Sequence, residues 1–539
     1  MLARVRWVDV AIVCLAALLR LAWLDLRPAH FDEGVNGAFV DGMTSQGFYH
    51  YDPSNFHGPL HYYTLFVSQT LFGRNLWALR VPIALVSIAC VVVVLAFRRF
   101  LPERACRVAA LAMAVSPGMS YYGRDAIHET WLVFFLLLGA WGLAGLWMSG
   151  ARKYLWAAAL GVTGMVLTKE TYIIHFIALL LTVPSLWLWE RVSPSTPLPA
   201  AAQRWRGSDL AWAAAVSGAL IVFFYTGGLL DWPPLAAPAD GPRGSLAGLV
   251  ETFGIWTQTG TGGHTGHEKP WSYWLQLLGG WYPTEPEARP VGEWPALVGL
   301  VASIFLLAPC SGRMARALAI YGTGALMAYT LIAYKTPWCL IAMMWPFHLL
   351  FGLAVHRAID AVDPWFATAG AAVACAASLA AAWALNFRHF ADETEPYAYV
   401  QTLPEIEKLL TPLRTLVAID PVHYHLRGVV LAPDHHPLPW LLGDFTRVEM
   451  HGFPEDPEAP VEIPEGLADA DFVLVDDTLA LEVEATLAGS YFRQPLRIRG
   501  NAAESSVLFL RASAFGVCFP GREPEIQPAN RTAAALPRR

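Results

Sequence analysis

Apolar blocks recur through the first 390 positions of the chain, and short polar turns separate them. Each block is about 17–22 residues long, the length that an α-helix needs to cross a bilayer. The segment 59–72 is aromatic and shorter, so it is either a further span or a helix at the membrane interface. The pattern predicts a polytopic α-helical membrane protein with about eleven transmembrane helices. The predicted spans are 8–24, 81–97, 106–122, 130–148, 154–168, 171–189, 209–226, 294–309, 317–334, 338–355 and 366–385.

Composition narrows the class of protein further. Hydrophobic residues make up 55% of the 539-residue chain and charged residues only 15%, which is not the composition of an ordinary soluble protein. The seven cysteines include no pair at metal-ligand spacing and form no disulfide framework, since most lie inside apolar blocks. From Arg388 onward there are 13 Lys and Arg against 23 Asp and Glu. An acidic tail without a basic stripe argues against nucleic-acid binding.

The turns between the blocks fall into two kinds, which predict an orientation. Basic residues favour the cytoplasmic ends of membrane helices. Turns such as 98–107, 152–153 and 313–316 are basic, whereas the alternating turns contain carboxylates, histidines and aromatic residues. We therefore predict that the long loops 25–80 and 227–293 and the C-terminal region lie on the outer, periplasmic side of the cytoplasmic (inner) membrane.

Two adjacent carboxylates, Asp32 and Glu33, follow the first apolar block within a few residues. A charge at a membrane boundary has to be solvated, paired or bound to a ligand, so this pair is a candidate for function. The alternative is structural: Asp32 would cap a short helix that begins at Glu33, its side chain accepting a backbone N–H.

The other outward turns also hold ionisable residues close to span ends, and each has a structural alternative. Lys169 and Glu170 could form a surface ion pair of little energetic consequence. Lys335 could extend its ammonium group from a span end. Arg124 and Glu129 could pair within one helix. The presence of all these turns on one face, rather than any single motif, favours an active site there.

The glycine-rich stretch in the long loop 227–293 contains His264 and His267, three residues apart and beside Glu268. These residues are either metal ligands or parts of a loop stabilised by hydrogen bonds. Across all turns, the candidate substrate-binding residues are His57, Tyr62, Arg124, Lys169, Glu170, His264, Lys269, Trp271 and Lys335, and the candidate metal ligands are Glu129 and His267.

Carboxylates, imidazoles and cations that meet at a membrane surface suit a lipid-linked phosphate donor. A carboxylate can deprotonate an acceptor hydroxyl within hydrogen-bond reach. A divalent metal (Mg, Mn or Zn), or Lys and Arg side chains directly, can neutralise a departing phosphate. The chain has no GxxxxGK[ST] or GxGxxG motif, which argues against a nucleotide-driven pump and a dinucleotide-dependent enzyme.

Short motifs occur in a recognisable order over most of residues 25–340 and parts of 395–445. They are Asp32–Glu33, His57–Tyr63, Ser116–Tyr122 with Arg124 and Glu129, Lys169–Glu170, His264–Trp274, Lys335–Trp338, and more loosely Tyr397–Gln401 and His436–Trp440. This order resembles the GT-C superfamily of membrane glycosyltransferases, in its protein mannosyltransferase and aminoarabinose transferase branch. Within that branch it is most similar to the flippase activity-associated protein family of bacteria and archaea.

The resemblance implies an inverting sugar transfer from a polyprenyl-phosphate-linked donor to a lipid, glycan or protein acceptor. It implies that Asp32 is the catalytic base, with Glu33 beside it, and that Glu129 supports a metal or the acceptor. The family usually has Asp at the position of Glu129, so the longer carboxylate would change any metal geometry. The residues implied to contact phosphate are Arg124, Lys269 and Lys335.

The chain is predicted to comprise a GT-C-like membrane domain (1–388), a soluble α/β domain (389–520) and a disordered tail (521–539). In the soluble domain, the runs 415–419, 428–431, 471–475 and 507–510 predict strands, and 401–411 and 478–488 predict helices. The Asp434–His436 run predicts a turn rather than a site.

We therefore predict a membrane glycosyltransferase with its active site at the outer face. One alternative is a non-catalytic accessory of lipid-linked oligosaccharide translocation, in which substitution of Asp32 would leave glycan output intact. Another is a transporter with a midplane site, which would place charges inside the spans. The predicted spans are nearly free of charge, which disfavours the transporter.

Overall fold

The computed structural model describes residues 6–195, 204–235, 244–261, 266–454, 456, 459–464, 466–500 and 505–527. These residues are mostly helical and divide into two compact units. The first unit contains the chain up to Leu26, Gly42–Phe390 and Thr394–Tyr397. The second contains Arg27–Asp41, Ala391–Glu393 and the chain from Ala398 onward. The acidic segment after the first apolar block thus belongs to the second unit, whereas the sequence suggested the membrane domain.

Each predicted span coincides with a helix, and the span 106–122 is divided into two helices at Ser116. The segment 59–72 is also helical. The helices are α1 Trp7–Leu21, α2 Phe31–Gln46 (shared by the two units), α3 Leu60–Phe72, α4 Leu76–Ala96, α5 Glu103–Val115, α6 Pro117–Tyr121, α7 Glu129–Ser149, α8 Arg152–Val166, α9 Tyr172–Val192, α10 Gly207–Tyr225, α11 Ser245–Thr261, α12 Tyr273–Gly279, α13 Trp294–Leu306, α14 Gly312–Leu331, α15 Leu340–Ala361 and α16 Pro364–Phe387.

Within the described ranges, 6 helical segments are long and apolar enough to cross a membrane by length and composition. This confirms the multi-pass helical class, while the count of eleven spans stays a prediction. The segments are Leu76–Arg99, Glu129–Ser149, Tyr172–Val192, Gly207–Tyr225, Pro337–Ala361 and Pro364–Phe387.

A buried arginine satisfies the backbone carbonyls that become unpaired where α5 ends. In a continuous helix the carbonyl of Met113 would accept from residue 117, but Pro117 has no N–H. Arg20 donates instead to the carbonyls of Met113 (3.2 Å) and Ala114 (2.9 Å). Its Nε also donates to Ser87 Oγ at 2.7 Å. Because the Arg20 side chain is fully buried, it joins α1, α4 and α5 at this point.

Two more buried arginines bind backbone carbonyls at the C-terminal end of α1 and in the residues just after it. Arg80 donates to the carbonyl of Leu24 at 2.8 Å. Arg124 donates to the carbonyls of Leu19 (3.1 Å), Ala22 (2.8 Å) and Trp23 (2.6 Å).

The second unit contains a five-stranded mixed sheet in the order β2-β1-β3-β5-β4. Strand β1 is parallel to β2 and β3, whereas β5 is antiparallel to β3 and β4. Apolar side chains alternate between the two faces and form a core on each. The strands are β1 Arg427–Leu431, β2 Arg447–His451, β3 Phe472–Asp476, β4 Tyr491–Leu496 and β5 Ser506–Arg511, and the helices are α17 Glu407–Ile419, α18 Leu438–Leu441, α19 Ala480–Thr486 and α20 Ala512–Phe515.

Three predicted strands of the second unit are confirmed as β1, β3 and β5, but the strand predicted at 415–419 is wrong. That run is the end of α17, in which Leu409, Leu413 and Leu416 follow helical spacing on one buried face. Strands β2 and β4 were missed because both lie at sheet edges, where burial is weaker. Strand β4 also contains Pro495, which edge strands tolerate.

We expect Arg20→Met to lower the free energy of unfolding by about 2–5 kcal/mol, because it leaves two buried carbonyls without a donor. Arg20→Lys should retain part of the stability. Unfolding in mixed detergent micelles measures both. The matched control is Arg6→Met, which removes a half-exposed arginine paired with Glu103 and should cost at most about 1 kcal/mol. Equal effects of Arg20→Met and Arg6→Met would contradict this interpretation.

Candidate active site

The loop before α3 is fixed to the end of α8 by backbone hydrogen bonds. The N–H groups of Gly58 and Leu60 donate to the carbonyls of Thr168 (3.1 Å) and Leu167 (3.0 Å). The backbone of Leu167 and Thr168 occupies the space that a Cβ at position 58 would need, so only glycine allows this approach. The neighbouring residue, His57, is thereby placed beside the turn between α8 and α9.

Two side-chain pairs form at this turn, one between Lys169 and Glu129 and one between His57 and Glu170. Lys169 Nζ donates to a carboxylate oxygen of Glu129, at the first position of α7, and both side chains are nearly inaccessible to solvent. His57 Nδ1 donates to Glu170 Oε2 at 2.8 Å. The surface pair between Lys169 and Glu170 that the sequence allows is therefore replaced by partners far away in the chain.

The carboxylates keep Lys169 charged in spite of its burial. Burial lowers the pKa of Lys169, but Glu129 and Glu170 outweigh burial and hold that pKa well above its ordinary value. Burial likewise raises the pKa of Glu170, but His57 and Lys169 outweigh it and lower that pKa below its ordinary value. The turn thus holds one ammonium group among two carboxylates inside the first unit.

Three histidine rings pack together next to these pairs. The His128 ring lies 4.4 Å from that of His57 and 4.1 Å from that of His61, centroid to centroid. His61 Nε2 donates to the carbonyl of Ala126 at 3.0 Å. Burial has the largest effect on the pKa of His128, and the nearby His61, His57 and Lys169 act in the same direction. Together they hold this pKa well below its ordinary value, so His128 is neutral at physiological pH. Its Nε2 has no hydrogen-bond partner in the described part of the chain.

Tyr62 belongs to an aromatic wall beside the histidines. Its ring lies 5.2 Å from that of His128 and stacks on Tyr49 at 4.4 Å. Its hydroxyl accepts from Asn55 Nδ2. Aromatic rings next to polar groups are typical of sites that hold a sugar or another ligand with polar and apolar faces.

The two lysine motifs of the outward loops come together as a short antiparallel pair. Lys335 N–H donates to the carbonyl of His267 (2.9 Å), and Lys269 N–H donates to that of Ala333 (3.2 Å). Lys335 Nζ donates to the carbonyls of Lys269 (3.2 Å) and Ile332. Burial lowers the pKa of Lys335. Trp271 follows this pair and is exposed, and His264 lies outside the described residues.

The Glu129 and His267 metal site predicted from the sequence does not fit this geometry. The Glu129 carboxylate is paired with the Lys169 ammonium group, which takes the place of a cation. The His267 ring faces Tyr334 at 4.9 Å. Among the described residues, no group of three or more His, Cys, Asp and Glu side chains is arranged to hold a metal ion. We therefore derive no step through a metal.

The contacts of Arg124 also differ from the expectation. Its guanidinium group donates to three carbonyls at the end of α1 and lies over the ring of Phe387, instead of pairing with Glu129. A phosphate contact by Arg124 stays a prediction, and this engagement disfavours it.

In the second unit, Asp32 and Glu33 have different surroundings. Helix α2 begins at Phe31, and the Glu33 carboxylate accepts from His30 N–H at 2.8 Å, which closes the first turn of the helix. The structural alternative, a cap formed by Asp32 for a helix beginning at Glu33, is therefore wrong. Glu33 is fully buried, whereas the Asp32 side chain is 35% exposed. Asp32 is thus the carboxylate that a ligand can reach.

His30 holds the backbone beside Asp32 in place. Its Nε2 donates to the carbonyl of Tyr399 at 3.0 Å, so its Nδ1 is the acceptor for Asp32 N–H at 3.1 Å. These two bonds require the neutral Nε2–H tautomer of His30.

The segment after β1 packs against this acidic helix start. The Phe31 and His436 rings are 5.3 Å apart. Arg499 donates to Asp434 Oδ2 and to the carbonyl of His436, both at 3.2 Å. Burial lowers the pKa of His436, with Asp434 and Asp32 among the groups that oppose this change. The residues that the sequence interprets as a turn therefore surround the acidic motif.

Sequence analysis missed three residues of these sites, His61, His128 and His436, and it also missed Glu293, a buried carboxylate just before α13. His61 and His128 lie inside motifs that were recognised, but nothing in their spacing indicated that they would meet. Glu293 precedes a predicted span, so the boundary argument applied to Asp32 would have found it.

Part of the chain is similar in sequence to a known protein family and to a protein of Bacillus subtilis. Residues 56–225 match the family described as dolichyl-phosphate-mannose-protein mannosyltransferase. The Bacillus subtilis (strain 168) protein "Putative mannosyltransferase YkcB" is 29% identical over 162 residues. This alignment covers 28% of the present chain and only 23% of the length of that curated relative.

Solved structures resemble nearly the whole chain. ArnT from Cupriavidus metallidurans bound to undecaprenyl phosphate has a TM-score of 0.61 at 16% identity, covering 95% of this chain and 99% of ArnT. The apo state of ArnT gives 0.59 at 15% identity, covering 93% and 97%. The Archaeoglobus fulgidus oligosaccharyltransferase gives 0.50 at 11% identity, covering 90% and 73%.

The architecture and these similarities define the class: the chain has the fold of the GT-C membrane glycosyltransferases. The predicted fold class is thereby confirmed. The narrower similarity to the flippase activity-associated family stays a prediction.

We expect Lys169→Met to lower the free energy of unfolding by about 3–5 kcal/mol, because it leaves buried carboxylates without their cation. Adding Glu129→Gln should restore part of this loss, and unfolding in mixed micelles measures both variants. Lys153→Met, at an exposed position, is the control and should change stability by at most about 1 kcal/mol. A double variant no more stable than Lys169→Met would argue against the pair.

Proposed function

We propose that this protein is a glycosyltransferase that moves a sugar from a polyprenyl-phosphate-linked donor to an acceptor hydroxyl. The observation that carries the proposal is the cluster of half-buried His57 with buried Glu129, Lys169 and Glu170 within a GT-C fold. All four residues lie in the stretch 56–225 that matches the mannosyltransferase family. The structural similarity to ArnT bound to undecaprenyl phosphate supports a donor of the same chemistry.

We propose a single displacement with inversion at the anomeric carbon. The acceptor oxygen forms a bond to the anomeric carbon while the bond from that carbon to the phosphate oxygen breaks. The phosphate leaves with the bonding electron pair as polyprenyl phosphate, and the hydroxyl proton passes to the Asp32 carboxylate. Asp32 is assigned as the base because it is the exposed member of the acidic pair.

The charges of the two other groups of side chains favour different parts of the donor, its sugar and its phosphate. The cluster around Lys169 has one ammonium group and two carboxylates, so it suits sugar hydroxyls, which donate to carboxylates, better than it suits a phosphate. Backbone hydrogen bonds place Lys269 and Lys335 on neighbouring segments, and two of the three N–H groups of Lys335 Nζ donate to carbonyls, which leaves the third to donate to a ligand. We assign the donor phosphate to these lysines, with the exposed Trp271 as an apolar surface beside them.

We further propose that the reaction takes place at the outer face of the cytoplasmic membrane. The uneven distribution of basic turns supports this orientation, since Arg and Lys favour the cytoplasmic ends of spans. The acceptor is a lipid, a glycan or a protein that has a free hydroxyl.

The test is transfer by the purified protein from radiolabelled polyprenyl-phosphate mannose, glucose and galactose to detergent-extracted membrane material. We expect Asp32→Asn to reduce transfer by about 10²–10⁴-fold, because an amide cannot accept the proton. EDTA should leave transfer unchanged. The matched control is Asp25→Asn, an exposed carboxylate seven positions earlier, which should transfer as wild type does.

Normal transfer by Asp32→Asn would remove Asp32 from its role as base. Binding of the lipid donors without transfer of any sugar would favour the non-catalytic accessory of lipid-linked oligosaccharide translocation.

A further inference from the structure

A carboxylate outside the cluster joins three segments of the first unit. Glu293 precedes α13 and is fully buried. Its carboxylate accepts from Ser116 Oγ (2.7 Å), from Gly118 N–H (2.5 Å) and from the hydroxyl of Tyr397 (3.3 Å). Side-chain atoms of Glu293 and Tyr397 already lie about 3 Å from where a Cβ at position 118 would be, so a glycine keeps the contact close.

Two of the hydrogen bonds that Glu293 accepts come from the start of α6, the short helix that precedes His128 and Glu129. Ser116 is the N-cap of α6, and its Oγ also accepts from Met119 N–H at 3.1 Å. Glu293 therefore fixes the first turn of α6, after which the chain passes through Arg124 to His128 and Glu129 within a few residues.

The far end of α6 is held by further bonds within the first unit. The hydroxyl of Tyr121 donates to the carbonyl of Phe390 at 2.7 Å, and the hydroxyl of Tyr122 donates to that of Tyr397 at 2.8 Å. Segment 116–124 is thus held at both ends, and the carboxylate of Glu293 is the group that holds its first end.

No cation is among the partners of Glu293 in the described part of the chain. The titratable groups nearby are Tyr397 and Tyr282, and Tyr282 also lies close to Glu395, which pairs with Arg289 at 3.5 Å. Burial raises the pKa of Glu293 to about 7, although its three hydrogen bonds oppose the rise. Both charge states are therefore accessible near neutral pH.

We propose that Glu293 is a positioning residue for sugar transfer. When ionised, it accepts from both Ser116 and Gly118 and holds α6 and the following turn in the reactive arrangement. When protonated, one oxygen becomes a donor, so one of these contacts is lost and the turn relaxes. This role rests on the proposed function, because its catalytic effect is measured as transfer.

The first experiment follows stability and needs no substrate. Glu293 has its pKa raised from 4.5 to about 7 on folding, so its stabilising effect is complete at acidic pH and declines as pH rises towards about 7. We expect the melting temperature of the purified protein to fall between about pH 5 and about pH 8 more steeply in wild type than in Glu293→Gln. Glu287→Gln, the same change at an exposed position of the same loop, should follow wild type.

The second experiment follows kcat over the same pH range. The amide of Glu293→Gln accepts from Gly118 but cannot ionise, so it resembles the protonated state. We expect Glu293→Gln to match wild type near pH 6 and to fall about tenfold below it near pH 8, the effect of losing one charge-assisted hydrogen bond. Glu293→Asp should restore the rise of kcat with pH in part, and Glu287→Gln should leave the profile unchanged.

The outcomes separate this role from the proposed function. A pH-independent ratio of kcat between wild type and Glu293→Gln overturns the positioning role while sugar transfer itself stands. Melting profiles of the same slope overturn the titration of Glu293. Absence of transfer by wild type at every pH overturns the proposed function, and the positioning role with it.

Discussion

The first unit depends on a single physical requirement: backbone carbonyls at interrupted helix ends cannot be left unpaired in an apolar surrounding. The helices end close to the polar turns, and the clearest case is Ser116–Pro117, where α5 ends and α6 begins. At two of these helix ends buried arginines bind carbonyls that lack helical partners: Arg20 at the end of α5, and Arg80 and Arg124 at the end of α1 and just after it. The guanidinium group suits this task because it presents five donors in a fixed plane.

The interruptions allow charged residues to collect without facing lipid. Lys169 and Glu129 are 40 positions apart, yet they pair because α7 and α8 pack closely and the 168–171 turn lies beside the start of α7. Burial makes such a pair costly to break, although the pair itself adds little net stability. The same argument applies to Glu293, which the described part of the chain provides with hydrogen bonds but not with a cation. Residues held in this way keep a defined geometry, which sugar transfer requires.

Sequence analysis predicted the helices well because the apolar blocks are long and separated by turns, and block length alone indicates a span. The candidate residues that the structure describes lie in the turns between these helices or near a helix start. Sequence analysis could not predict their partners, because pairing depends on which helices pack together. Arg124 shows this limit: at the level of sequence it is a phosphate ligand or a partner of Glu129, and in the fold it binds carbonyls of α1. The metal ligands proposed from the sequence show the same limit, since in the fold Glu129 pairs with Lys169.

The second unit shows a different limit of prediction from sequence. The buried strands β1 and β3 were predictable from continuous apolar runs, whereas the edge strands and the helical 415–419 run were not. Nothing in the sequence indicated that residues 27–41 belong with the C-terminal sheet. The packing of Phe31 against His436 gives the acidic motif surroundings that a reading of the loop alone could not supply.

The most direct test of a single-displacement sugar transfer is the anomeric configuration of the product. Transfer from a polyprenyl-phosphate sugar of known configuration, followed by nuclear magnetic resonance of the purified product, determines it. A general base that deprotonates the acceptor in one step predicts an inverted anomeric centre. A product with the configuration of the donor would contradict a single displacement with inversion, and with it the role of Asp32 as the base of that step.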